Sequence, residues 1–256
     1  MRTLGYPQMI VQADHIAPAP RRVRAALGGQ VILDTVHAIY LWEVPYYPQY
    51  YIPVADVAKD VLIDEDREEK LSRGTVRRHG LRVGDLHRPG AALVYTADAL
   101  PGLEGMVRFE WDAADAWYEE DEPLLSHPRS PYARVDALRS HRHVHVSRDG
   151  VELAESSSPV ILFETGLPPR HYLERTAVNF GALEHSATET VCAYKGRTSD
   201  YWSVKTPSGL VPDLAWSYIY PLPAVAPIAG LVCFLGEHVD IRVDGELLDR
   251  PATPFT

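Results

Sequence analysis

Two glutamates, a lysine and a set of aromatic rings are the residues whose types and spacing suit chemistry. Glu164 closes the apolar run Val160, Ile161, Leu162 and Phe163, and Glu43 follows Leu41 and Trp42 in the same way. A carboxylate at the end of a buried strand is either satisfied by a local partner or held for function. Downstream of Glu164 lies a dense segment of Cys192, Tyr194, Lys195 and Gly196, then Tyr201, Trp202 and Ser203, and later Trp216 and Tyr218. Lys195 beside Gly196 suggests a cation presented at a tight turn. In strands, Trp216 and Tyr218 share a face, as do Cys192 and Tyr194. Aromatic walls with one cation and one carboxylate suit a planar or cationic small molecule. The alternative is core packing of the rings, with Lys195 paired to Glu164.

The elements that position these residues occur twice. An offset of 121 carries residues 21–57 onto 142–178 without a gap: Arg21 falls on Arg142, Gly29 on Gly150, Leu41 on Leu162, Glu43 on Glu164 and Tyr51 on Tyr172. Later the offset is 125, taking Tyr95 to Tyr220, Gly105 to Gly230, Phe109 to Phe234 and Asp115 to Asp240. Two anchored blocks in one order indicate tandem duplication of a unit of domain size. The first copy then covers residues 1–133 with an N-terminal extension, and the second covers 134–256, with the boundary in the Pro-interrupted stretch 126–140. By the later offset Ala91 stands against Trp216 and Leu93 against Tyr218. The first copy thus loses rings and reads as degenerate, a scaffold beside a working pocket in the second.

Each copy reads as short strands. Val144 and Val146 alternate with His143 and His145, Asp149 and Gly150 supply hairpin-turn chemistry, and Val160 to Phe163 has buried-strand length. Twenty-one prolines and seventeen glycines suit many turns. The best helical candidate is 57–72, where acidic and basic residues mix. The expected class is mainly β: two tandem modules of packed antiparallel sheets with few short helices.

Composition narrows the function. The net charge of −10 disfavours nucleic acid and anionic membranes as partners. The longest apolar stretch, 224–235, holds Pro227 and Gly230 and is too short to span a bilayer. Cys192 and Cys233 are isolated and no secretory leader is visible, so a cytoplasmic location is expected. His141, His143 and His145 alternate on one strand face, but Arg22 and Arg24 occupy the matching places in the first copy, so exposed strand histidines are expected rather than a metal site. There is no phosphate-cradling P-loop and no nucleophile elbow. No cofactor and no metal are expected.

Several separate blocks match one family in order: residues 142–155, Phe163 with Glu164, Pro169 to Tyr172, the Cys192 to Gly196 segment, Tyr201 to Val204, and Ala215 to Tyr218. Together they resemble the bacterial and fungal family called "domain of unknown function 427", also catalogued as nucleotidyltransferase-like. The resemblance covers nearly all of the second copy and more weakly the first. Ala193 stands where the family usually has Pro. The resemblance implies a β-tent-like fold, shared with Yippee proteins and the thalidomide-binding domain of cereblon. Those relatives hold zinc with paired cysteines, which this chain lacks. Family membership supplies no reaction. Three functions follow for the residues Glu164, Tyr172, Lys195, Trp202, Trp216 and Tyr218. They form a small-molecule cleft, or an enzyme site with Glu164 as acid/base and Lys195 as electrophile stabiliser or amine nucleophile, or the packed interior of an interaction scaffold.

Overall fold

The computed structural model describes residues 6–9 and 11–253. The chain forms two compact units: Ile10–Ser130, here the first module, and Pro131–Thr256 together with Met1–Met9, here the second. The division falls inside the stretch 126–140. The N-terminal segment groups with the second module, where the Gly166 amide donates to the Pro7 carbonyl at 2.9 Å.

Among the described residues both modules are built of antiparallel strands, with short 3-10 turns between some of them. In the first, seven strands lie in the order Ile16–Pro18, Ile39–Val44, Tyr47–Pro53, Met106–Phe109, Leu86–Tyr95, Gly74–Val83 and Leu62–Leu71. A four-stranded sheet accompanies them: Glu122–Leu124, Ala116–Glu119, Val23–Leu27 and Gln30–Thr35. The second module repeats the seven as Val135–Arg139, Val160–Glu164, Arg170–Leu173, Val232–Phe234, Gly209–Ser217, Asp200–Thr206 and Leu183–Ser186. Its four-stranded sheet is Glu246–Leu247, Asp240–Val243, Val144–Arg148 and Val151–Ser156. Gly28 and Gly29 in one module and Asp149 and Gly150 in the other all have positive φ, the geometry that lets a two-residue hairpin follow the strand twist. Among the described residues no helix is long and apolar enough to cross a membrane.

The stretch 57–72 is not helical. Leu62–Leu71 is an edge strand antiparallel to Gly74–Val83. Its mixed charges pair across the ladder: Glu69 meets Arg78 at 2.7 Å and Asp64 meets Arg77 at 2.8 Å. Charge on an edge strand also discourages pairing with other chains. Cys192 and Tyr194 do not share a strand face either, because the short strand Val191–Cys192 ends there and residues 193–195 turn. His143 pairs with Glu155 at 2.8 Å and His145 pairs with Glu152.

Backbone bonds fix the correspondence between modules more closely than a constant offset. The Leu100 amide donates to Arg73 O at 2.8 Å, as Leu222 does to Lys195 O at 3.0 Å. Gly105 donates to Tyr95 O at 3.1 Å, as Gly230 does to Tyr218 O at 2.7 Å. Glu110 donates to Ala91 O, and Leu235 to Leu214 O, each at 2.8 Å. Leu93 pairs with Arg108 across the sheet as Trp216 pairs with Cys233. Tyr95 is therefore the counterpart of Tyr218, not of Tyr220, and Leu93 is the counterpart of Trp216. Arg73 is the counterpart of Lys195. The first module has kept more of the cluster than the constant offset indicates.

Candidate functional site

The strand Val160–Glu164 delivers Glu164 to the end of its sheet, and the turn before Gly196 (φ +104°) delivers Lys195 to it. The Lys195 Nζ lies 2.5 Å from Glu164 Oε2, and both side chains are largely buried. Burial works to lower the Lys195 pKa, but Glu164 and then Cys192 outweigh it and hold the pKa above the usual lysine value. Lys195 is therefore an ammonium ion at neutral pH and not a ready nucleophile.

Tyr172 and Tyr218 belong to a closed apolar cluster with Val160, Leu162, Val225 and Ile228. Burial raises both phenol pKa values. Trp216 packs on this cluster and its Nε1 donates to Tyr172 Oη at 3.3 Å. Cys233 lies opposite Tyr172 and Trp216 in the ladders, fully buried, and burial pushes its thiol up to about 12. Trp202 is elsewhere: it pairs with Ala215 and joins a different core cluster with Val204 and Leu214, under Phe180 at 5.6 Å and Arg175 at 5.2 Å. The structure thus gathers Glu164, Lys195, Tyr172, Trp216 and Tyr218 and leaves Trp202 on another face. The two phenols sit inside a packed cluster rather than facing an open cleft.

The first module builds the same cluster with different cations. Glu43 Oε1 accepts from the Tyr51 hydroxyl and from Arg108 Nε, each at 2.9 Å. Arg73, in the place of Lys195, donates to the Glu43 carbonyl at 2.9 Å. The Tyr51 and Tyr95 hydroxyls are 3.3 Å apart. Gly74 follows Arg73 at φ +127°, and a Cβ there would fall 2.4 Å from Ala99 Cα.

A second feature of the second module escapes any motif search. Arg170 holds Glu237 through two bonds of 2.5 and 2.6 Å, and its guanidinium stands 6.0 Å from the Trp216 ring centroid. Burial would raise the Glu237 pKa, but Arg170 outweighs it and holds the carboxylate below its usual value. Beside Arg170 opens a cavity of about 240 Å³, walled by Pro169, His171, Phe234, Gly236 and Ile241 among others. His171 is 5% exposed and its Nδ1 has no hydrogen-bond partner among the described residues. Burial, then the charges of Arg142 and Arg170, lower its pKa to about 4.

The first module fills the matching volume with rings. Tyr50 occupies the place of His171, by the same offset that takes Tyr51 to Tyr172. Trp111 follows Glu110 as Gly236 follows Leu235. Trp117 lies opposite Ala25 as Ile241 lies opposite Val146. Trp111 and Trp117 stack at 5.0 Å and 13°, Tyr50 and Trp117 at 6.2 Å and 27°, and Tyr40 and Tyr50 at 5.5 Å and 27°. The signal in the sequence was a loss, two indoles and a phenol replaced by Gly236, Ile241 and His171.

Among the described residues no group of three or more His, Cys, Asp or Glu side chains is placed to hold a metal ion. Comparison with curated proteins gives no match. A family model described as "Domain of unknown function (DUF427)" matches residues 15–120 and again residues 136–245, one match for each module. The chain belongs to this family as a two-copy member.

Proposed function

We infer that the protein binds a small molecule, that the second module carries the ligand in the cavity beside Arg170 and His171, and that the ring-filled first module serves as scaffold. The single observation behind this reading is the contrast between the modules: matching strands carry stacked rings in one and border a cavity of about 240 Å³ in the other. Ring side chains of a packed core contribute several kcal/mol of stability, and a ligand seated where such rings are missing stabilises the fold by binding to it. Binding falls to the cavity rather than to Glu164 and Lys195, whose neighbouring phenols are packed shut. Within this reading the ion pair fastens the Lys195 turn to the strand end, and Trp216 supports Arg170 at the cavity wall. Lys195, held as a cation, gives no support to amine catalysis.

The test is a thermal-shift screen with small aromatic compounds on the full chain and on Gly236→Trp. Binding in the cavity raises the wild-type melting temperature and leaves the filled variant unmoved. Equal shifts in both proteins, or none with any compound, would reject the reading.

A further inference from the structure

We propose that the cavity takes a neutral, flat nitrogen heterocycle of one or two fused rings, with its polar edge hydrogen-bonded to His171; this rests on the cavity reading above. Shape comes first. The side chains missing relative to the first module are planar rings, and the backbone around them is retained, so the space left is suited to a flat guest. An apolar cavity of roughly 150 Å³ already admits benzene. About 240 Å³ leaves room for a second fused ring and little more.

Polarity comes next. His171 lines the cavity, almost wholly buried, and its Nδ1 is left without a partner. That Nδ1 is closed to solvent as the ring stands, and a turn of the imidazole toward the cavity lets a ligand supply the missing bond. The first module shows that this place can be satisfied: the counterpart Tyr50 donates to the buried Glu119 carboxylate. In the second module Val243 takes the place of Glu119, opposite Val144 as Glu119 is opposite Val23. The internal partner has been removed along with the rings.

Charge decides the rest. The carboxylates at the cavity are engaged, Glu237 by Arg170 and Asp240 by Arg250, and Asp249 of the lining is not free either, so a cationic guest finds no open counter-charge. Both guanidinium groups of the lining are already committed, Arg170 to Glu237 and Arg250 to Asp240, so an anion finds no unpaired cation there. A neutral ring with one hydrogen-bonding edge fits what remains. The planar part of the sequence-based expectation is kept and the cationic part is not.

Indole and indene have nearly the same shape, and only indole carries an N–H. Calorimetric titration of the full chain with each compound isolates the polar contact. Indole is expected to bind about tenfold more tightly than indene, the worth of one buried hydrogen bond. His171→Phe should remove that preference while both compounds still bind. Gly236→Trp should abolish both, and Ile241→Phe, a smaller filler, should weaken both if the first variant folds poorly by circular dichroism. Equal affinities in the wild type, both lost on filling, would overturn the heterocycle proposal and leave the cavity reading standing. No binding of either compound, or binding untouched by both fillers, would overturn the two together.

Discussion

Gly236 stands in the second module where Trp111 stands in the first, each just after a residue whose amide donates 2.8 Å to the neighbouring strand. One substitution of this kind removes an indole while the flanking backbone hydrogen bond is kept. Gly236 does not have positive φ, so nothing in its conformation demands glycine. A Cβ built on it meets Ile241 Cδ1 at 3.3 Å and Arg170 NH1 at 3.7 Å, contacts that flexible side-chain ends can accommodate.

Trp117→Ala in the first module should be strongly destabilising. Trp117 is buried, stacked on Trp111 and on Tyr50, and donates through Nε1 to the Trp111 carbonyl at 3.0 Å. Deletion of a core tryptophan costs roughly 3–5 kcal/mol. Ile241→Ala, its counterpart beside an existing cavity, should cost clearly less. Urea unfolding of the two variants checks the order, and equal losses would contradict the filled-versus-empty contrast.

The Lys195–Glu164 pair should behave as a buried ion pair. Glu164→Gln or Lys195→Met alone leaves one charge uncompensated and should destabilise by about 3 kcal/mol or more. The double change Glu164→Leu with Lys195→Met removes both charges and should cost less than the sum of the single changes. A double-mutant cycle in urea reads the coupling. Strict additivity would show that the pair does not act as a unit.

His171 should make stability depend on pH between about 4 and its unfolded value near 6.5. Its pKa is depressed in the fold by burial and by Arg142 and Arg170, so the unfolded chain takes up a proton that the folded chain refuses. Above pH 6.5 neither form is charged and there is no penalty. As pH falls toward 4 stability is lost, and below 4 the loss stops growing. Between pH 7 and pH 5 the wild type should lose about 2 kcal/mol more than His171→Phe. Parallel pH curves for the two proteins would contradict this.

The two thiols should differ in reactivity. Cys233 is fully buried with its pKa pushed up to about 12, whereas Cys192 is partly exposed. An aromatic disulfide reagent at neutral pH should modify one thiol in the folded protein, and Cys192→Ser should abolish that reaction. Modification of Cys233 in the folded chain would show that its cluster opens.

The duplication, the β class and the closeness of Glu164 to Lys195 were legible because each rests on local signals: matched residues, turn chemistry and a strand-end carboxylate. The charged edge strand Leu62–Leu71 was not, because a strand with mixed exposure shows no clean alternation. Trp202 was grouped with Trp216 although a register shift follows it and the other core cluster takes its ring. Tyr95 was matched to Tyr220 because the offset passes through intermediate values in the middle of the unit, and only the Gly105 and Gly230 bonds show where. The cavity was least legible of all, since it is made by rings that are missing and lies beside residues that carry no motif.

A bromine-labelled indole soaked into crystals of the full chain tests the central claim most directly. The account predicts one anomalous bromine peak in the second module, bounded by His171, Gly236 and Ile241, and none between Tyr50, Trp111 and Trp117 of the first. Side chains of the chain itself filling the space beside Arg170, or bromine bound only elsewhere, would contradict it.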